Sequence, residues 1–208
     1  EISLLSMRTE KHPPSGPASD RKHLSFLKTY ETVDVDTRIR PLQMLRNLSL
    51  STEPYDLVRF SSDDFDGVMR RTIRDGGFDL VHCEGVLFTR YLRTIRRETS
   101  APVVLRAHNI EHRIREMMAR HSSGILRRAY LTNLADRLRR YETEAAQLFD
   151  AVVAISEPDL RWFRDVAPAG KPMLLSETGV AFPGYVSETD EANFRVGFIG
   201  ALNWQPNV

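Results

Sequence analysis

The sequence contains a single cysteine, Cys83, among its 208 residues. One cysteine cannot form a disulfide within the chain, and zinc or redox sites built on pairs of nearby cysteines are excluded. Such a composition is typical of a reducing compartment. We therefore expect a cytoplasmic protein.

Long apolar runs are also absent. No stretch approaches the roughly 18 consecutive apolar residues that a membrane-spanning helix needs, and we find no internal repeat or low-complexity tract. Hydrophobic residues make up 41% and charged residues 27% of the chain. This balance permits a buried core and argues against disorder, so the sequence predicts a globular protein that does not span a bilayer.

Lysine is scarce, because arginine supplies 25 of the 29 basic residues. Many of these arginines fall between Arg90 and Arg140, although the formal net charge is only +1. Two interpretations stay open. Forked guanidinium groups suit anionic partners, including the inner face of a membrane, whereas interleaved acidic residues are typical of solvated helix faces. Peripheral membrane contact through these helices is one hypothesis, and no nucleic-acid partner is expected.

Short apolar segments alternate with longer segments of helical repeat. The short segments predict strands at 78–85, 102–108, 151–156, 172–176 and 194–200. The longer segments predict helices at 61–77, 86–101, 110–120, 123–150 and 157–166. This alternation indicates βαβ units and predicts an α/β, Rossmann-like parallel sheet with helices on both faces. No G-x-G-x-x-G follows a strand, which argues against a dinucleotide-binding dehydrogenase.

The first sixty residues are less regular. The pattern predicts a strand over 1–6, a helix over 21–30, a strand over 31–36 and a helix over 41–50 that begins with Pro41. The long helix within 123–150 is expected to bury one apolar face. That face is predicted to consist of Leu126, Tyr130, Leu134, Leu138, Tyr141, Ala145 and Leu148.

The segment "VLRAHNIEHRIRE" places His108 four residues before His112, with Glu111 beside the second histidine. H-x-x-E-H on a single helix is a zinc-protease signature. Here His108 follows a strand while His112 falls in the first turn of the next helix, and no third ligand is evident, so we do not expect a metal site. His108 is instead predicted at the ligand-binding edge of the sheet. The alternative is a histidine that bonds only loop backbone.

Four segments, "FDLVHCEG", "VLRAHNIEHRIRE", "RRYETEAAQLFDAVVAISEPD" and "FIGALNWQPNV", resemble in order and spacing the family 4-like retaining glycosyltransferases of the GT-B type. The likeness runs from about residue 78 to the end. It implies that residues 1–190 form the N-terminal, acceptor-side domain and that residues 191–208 open the nucleotide-sugar domain. It also implies that the family's first strand and glycine-rich loop, and most of its C-terminal domain, are missing here.

The resemblance implies a set of site residues. His108 would contact the donor sugar or the acceptor, and Ser156 would lie near the interdomain hinge unless it only caps a helix. By position or proximity, the remaining substrate-binding candidates are Glu84, Gly85, Arg106, Asn109 and Glu111. The alternative role for Glu84 is to cap the next helix. Gly200 matches the turn beneath the donor diphosphate, and Asn203 stands where many relatives carry a basic residue.

The resemblance also implies a reaction. A sugar would pass from a nucleotide-sugar donor to a saccharide or lipid-linked acceptor with retention, in the synthesis of a cell-envelope polysaccharide. No cofactor or metal is expected, because helix dipoles and basic groups would stabilise the leaving diphosphate. The chain alone is expected to be inactive. A non-catalytic α/β ligand-binding module is the alternative, since fold does not fix function.

Overall fold

A computed structural model describes residues 1–10 and 24–179 of the chain. Two strands come first, β1 (Ile2–Arg8) and β2 (Leu27–Asp34), and they pair in parallel. The strand predicted over 1–6 is therefore confirmed. The helix predicted over 21–30 is wrong from Leu27 onward, because threonines, an aromatic residue and pairing with β1 favour a strand there.

The main sheet contains four parallel strands in the order β3-β4-β5-β6. Its strands are β3 (Val81–Glu84), β4 (Val103–Ala107), β5 (Ala151–Ala154) and β6 (Met173–Leu175). All four lie within segments predicted as strands. The strand predicted at 194–200 lies outside the described residues, as does the proposed domain boundary at residue 190.

Helices connect these strands. The α-helices are α1 (Pro41–Leu50), α2 (Tyr55–Val58), α3 (Asp63–Gly76), α4 (Leu92–Glu98), α5 (Glu111–Arg120), α6 (Ile125–Leu148) and α7 (Glu157–Val166). A 3₁₀ helix (Val86–Tyr91) precedes α4. Parallel strands alternating with helices confirm the predicted α/β, Rossmann-like class.

Local capping explains why α3 begins and ends where the sequence predicts. The Ser62 side chain accepts a hydrogen bond from the backbone N–H of Phe65, and acidic residues fill the first turn. Gly77 ends the helix in the left-handed conformation, at φ 57°, which glycine adopts without steric cost. Within the described ranges, none of the helices combines the length and apolar character needed to cross a membrane.

The core lies between the main sheet and its helices. Val103 and Leu105 of β4 and Val152 of β5 are fully buried. Phe149, just after α6, and Phe163 of α7 pack into the same cluster. Val33 and Val35, at and just after the end of β2, also contact this cluster, so the two-stranded sheet shares the core of the four-stranded one.

The buried face of α6 differs in part from the prediction. Its buried residues are Leu131, Leu134, Ala135, Leu138, Glu142, Ala145 and Ala146. Leu126 is 87% exposed and Leu148 is 48% exposed. At 3.6 residues per turn, Leu126 lies about 120° around the helix from Leu138. The predicted series, which steps by three or four residues, therefore leaves the buried face at its N-terminal end. The buried face also contains Glu142, which a search for apolar residues does not find.

Substitution of two leucines on α6 tests this assignment. Leu138→Ala should lower the free energy of unfolding by about 2–5 kcal/mol, because it leaves a cavity in the core. Leu126→Ala removes the same atoms from an exposed position and should change it by less than about 0.5 kcal/mol. Urea unfolding of both variants measures the difference. Equal losses would show that the register of α6 is wrong.

Candidate active site

The predicted site residues come from separate segments, and the strand register brings several of them to one edge. Glu84, the last residue of β3, pairs in register with Arg106 of β4. His108 follows β4 directly, since that strand ends at Ala107. All three therefore lie at the carboxyl ends of parallel strands, where open α/β sheets bind ligands.

Glu84 and His108 contact each other directly. His108 Nε2 lies 2.6 Å from Glu84 Oε2, and Nη1 of Arg106 lies 3.7 Å from the same oxygen. The two side chains of the close pair are 48% and 43% exposed, so both remain accessible. The alternatives of a helix-capping Glu84 and a backbone-bonded His108 are wrong, because each side chain bonds the other. The 3₁₀ helix after Gly85 has no side-chain cap.

His82 also belongs to this cluster, although the sequence patterns did not predict it as a site residue. Its Nδ1 lies 3.3 Å from Glu84 Oε1. Alternate residues of a strand face the same side, so the "VHCE" segment already indicates that His82 and Glu84 share one face of β3. Cys83, between the two, faces the core instead, and burial raises the pKa of its thiol to about 12. A thiolate nucleophile at neutral pH is therefore not available from it.

The contact with Glu84 determines which ring nitrogen of His108 is available to a ligand. With Nε2–H donating to the carboxylate, the neutral ring has Nδ1 as an acceptor, and the charged ring has Nδ1–H as a donor. Nδ1 makes no hydrogen bond to the residues that the structure describes. The ring can therefore accept from, or donate to, a hydroxyl group of a ligand.

Gly85 supplies the turn after β3. Its φ of 103° lies in the region that favours glycine, while a Cβ there would meet nothing within 4 Å. Its backbone N–H donates to the carbonyl of Arg106 at 2.8 Å. The need for glycine is thus conformational, and a role of Gly85 in substrate binding stays a prediction.

A buried glutamate holds the beginning of α5. Glu142 of α6 accepts hydrogen bonds from the backbone N–H groups of Glu111 (2.6 Å) and His112 (3.1 Å) and bonds His112 Nδ1 at 2.7 Å. His112 and Glu142 are 3% and 1% exposed. Helix N-termini carry unpaired N–H groups that favour a negative charge. Glu142 therefore caps α5 from another helix and fixes its start three residues after His108.

The two histidines of the opening motif have separate partners. His108 bonds Glu84, whereas His112 bonds Glu142 and packs against Trp162 with ring centroids 5.1 Å apart. The prediction that they lie on different elements is confirmed. In the described part of the chain, no group of three or more His, Cys, Asp or Glu residues could hold a metal ion. Metal independence of the reaction stays a prediction.

Glu111 is the first residue of α5 and is partly buried, three residues after His108. Burial raises the pKa of its carboxyl group, Arg115 opposes this shift, and Glu142 and Asp56 add to it. The neighbouring Asn109 is half-buried and makes no side-chain hydrogen bond to other described residues. Contacts of Asn109 and Glu111 with a substrate stay predictions.

Ser156 has a structural explanation. Its hydroxyl accepts from the Asp159 backbone N–H at 3.3 Å and donates to Asp159 Oδ2 at 2.8 Å, which caps α7. The capping alternative is therefore confirmed, and the substrate contact stays a prediction. Gly200 and Asn203 lie outside the described residues, so their predicted donor contacts also stay open.

Comparison with known proteins identifies the class. Residues 12–174 match the model of the glycosyl transferase 4-like domain. This match covers well over half of the chain, and the chain therefore belongs to the glycosyl transferase 4-like family. No curated protein and no solved structure matches it. The sheet edge with Glu84 and His108 is thus part of a glycosyltransferase domain.

Removal of the Glu142 carboxylate tests its role as a cap. Glu142→Ala should lower the free energy of unfolding by roughly 3–5 kcal/mol, because two backbone N–H groups and a buried imidazole lose their partner. Glu142→Gln keeps one carbonyl oxygen and should cost less. Glu144→Ala, an exposed change on the same helix, should cost less than about 0.5 kcal/mol. Equal urea midpoints for Glu142→Ala and Glu144→Ala would contradict the assignment.

Proposed function

We propose that this chain supplies the acceptor-side domain of a retaining glycosyltransferase. The donor is a nucleotide sugar, and the acceptor is a saccharide or a lipid-linked acceptor, in the synthesis of a cell-envelope polysaccharide. Membership of the glycosyl transferase 4-like family supports sugar transfer in general. The observation that carries the finer proposal is the half-exposed Glu84–His108 pair, 2.6 Å apart, at the carboxyl edge of the sheet.

His108 is proposed to orient a sugar hydroxyl. Glu84 holds Nε2, which leaves Nδ1 for the ligand. A hydrogen bond that is already oriented before the reaction stabilises a transition state without further reorganisation. Nη1 of Arg106 lies 3.7 Å from the same Glu84 oxygen, so a second basic side chain contacts the carboxylate that orients the ring.

The remaining proposed contacts follow from position near the edge and from the family resemblance. Gly85, Asn109 and Glu111 are proposed to meet the acceptor, while Gly200 and Asn203 would contact the donor. The leaving diphosphate is proposed to be stabilised by helix dipoles and basic groups, without a metal or another cofactor. Ser156 contributes by holding α7 in place, beside the same edge.

We propose a cytoplasmic location, with contact at the inner face of a membrane as a further hypothesis. Two of the four arginines on α4 and the preceding 3₁₀ helix are already paired within the protein. Arg90 binds Glu53 at 2.8 Å and Arg96 binds Asp150 at 2.8 Å. Of the four arginines between 90 and 97, only Arg93 and Arg97 lack an ion pair with a described residue.

Replacement of the edge histidine tests the proposed reaction. In the full-length natural protein, His108→Ala should lower turnover by about ten- to a thousandfold, equivalent to about 1.4–4 kcal/mol. The melting temperature should stay unchanged, since His108 is half exposed. His82→Ala is the matched control, because His82 contacts the other oxygen of Glu84, and it should cost much less.

Two results would contradict the proposal. A lower melting temperature with unchanged turnover per folded molecule would make His108 structural. Tight binding of a sugar ligand with no turnover by the full-length protein would favour the non-catalytic ligand-binding module.

A further inference from the structure

A second recess lies outside the Glu84–His108 cluster. It is an open pocket of about 590 Å³ bounded by the segment after β2, by α1 and by the region of α2. Ligand sites commonly have volumes of roughly 300–1,000 Å³. The charged side chains that line it are Asp36, Arg38, Arg40, Arg46, Glu53 and Arg59.

The lining carries an excess of positive charge. Four guanidinium groups face two carboxylates, which leaves two positive charges unbalanced. Glu53 is moreover bound by Arg90, which is not part of the lining, at 2.8 Å. The carboxylate of Glu53 is therefore already paired outside the lining.

Two of the arginines are held side by side by one carboxylate. Asp36 accepts two hydrogen bonds from the guanidinium of Arg38, at 2.9 and 2.8 Å, and one from Nη2 of Arg40, at 2.8 Å. The hydroxyl of Tyr55 accepts from the Arg40 N–H at 3.0 Å and donates to the Arg40 carbonyl at 3.2 Å. Asp36 thus orients both guanidinium groups before any ligand arrives, which reduces the entropy cost of binding through their remaining N–H groups.

The other two arginines are not neutralised. Neither Arg46 nor Arg59 forms an ion pair with any residue in the described ranges. Nε of Arg59 is shielded from solvent and has no hydrogen-bond partner there, and its guanidinium lies 5.7 Å from the ring centroid of Phe60. A shielded donor without a partner is costly, and an anionic ligand would give Nε of Arg59 an acceptor.

The pocket is connected to the candidate active site through α2. Tyr55 and Val58 of this helix line the pocket. Asp56, between them, binds Arg115 of α5 at 2.7 Å. Because α5 begins at Glu111, one short helix lines the pocket and also contacts the helix that carries this candidate site residue.

We propose that this pocket binds the phosphate or diphosphate group of a phosphorylated acceptor. The inference rests on the proposed function, since it names the acceptor of that reaction. Two unbalanced positive charges match a phosphate monoester, which carries about −1.5 to −2 at neutral pH, whereas a carboxylate would leave one charge unbalanced. Arginine forks bind phosphate oxygens in pairs.

Two sources can supply this group, a soluble sugar phosphate or a lipid-linked diphosphate. Leu50 lines the pocket, and Leu42, Leu45 and Leu50 of α1 are 80%, 56% and 78% exposed. These leucines give a lipid chain an apolar surface beside the pocket. The binding experiment therefore compares both sources.

Calorimetric titration of the chain with inorganic pyrophosphate at low ionic strength tests the pocket. Arg46→Gln and Arg59→Gln should each weaken binding by about tenfold or more, the usual scale for a charge-assisted hydrogen bond. Arg97→Gln removes the same charge from an exposed position on α4 and should leave affinity unchanged. Arg46 is exposed, so its replacement should not disturb folding. Absence of pyrophosphate binding, or equal affinities in all variants, would overturn the proposal.

Competition then identifies the source. A soluble sugar 1-phosphate and phosphatidylcholine vesicles containing a polyprenyl diphosphate are each added to the pyrophosphate complex. Displacement by either supports a phosphorylated acceptor, and displacement by neither overturns it. His108→Ala should retain pyrophosphate binding. Failure of the anion site and failure of the proposed transfer reaction are therefore distinguishable, because the first is measured without turnover.

Discussion

The arrangement of the site depends on one buried carboxylate, Glu142 of α6. It binds the first two N–H groups of α5 and the His112 side chain in a region that is almost fully shielded from water. A carboxylate in such a place is stable only with several donors. The same bonds that satisfy Glu142 fix where α5 begins, and with it the short loop that carries His108. A structural requirement of the core thus determines the geometry at the edge of the sheet.

The edge and the arginine pocket together form the proposed acceptor-side surface. The Glu84–His108 pair offers one oriented imidazole at the carboxyl ends of β3 and β4. The pocket offers guanidinium groups oriented by Asp36. The neighbouring Arg38 lowers the pKa of the Asp36 carboxyl group well below its ordinary value. Helix α2 lines the pocket through Tyr55 and binds Arg115 of α5 through Asp56. An acceptor with a sugar at one end and a phosphate at the other would use both.

Local sequence signals predicted most of the elements, because their causes are local. Ser62 and Gly77 bound α3, Pro41 begins α1, and β-branched runs form β4 and β5. Features that depend on long-range contact were not predictable. Glu84 and His108 are 24 residues apart, and only the register of β3 with β4 brings them together. Glu142 occupies the buried stripe of α6 as a polar residue, so a search for apolar positions could not find it. The second half of β2 lies within the strand predicted over 31–36, whereas the strand character of its first half, from Leu27 to Tyr30, depends on pairing with β1.

Glu84 and His108 are proposed to act as one unit in sugar transfer. A double-mutant cycle tests it most directly, with kcat/KM measured for the full-length natural protein, Glu84→Gln, His108→Gln and the double variant. If the carboxylate acts through the imidazole, the double variant should be little worse than His108→Gln, with a coupling free energy of about 0.5–3 kcal/mol. Losses that add to within about 0.3–0.5 kcal/mol would show that the two residues act independently, and would contradict the account.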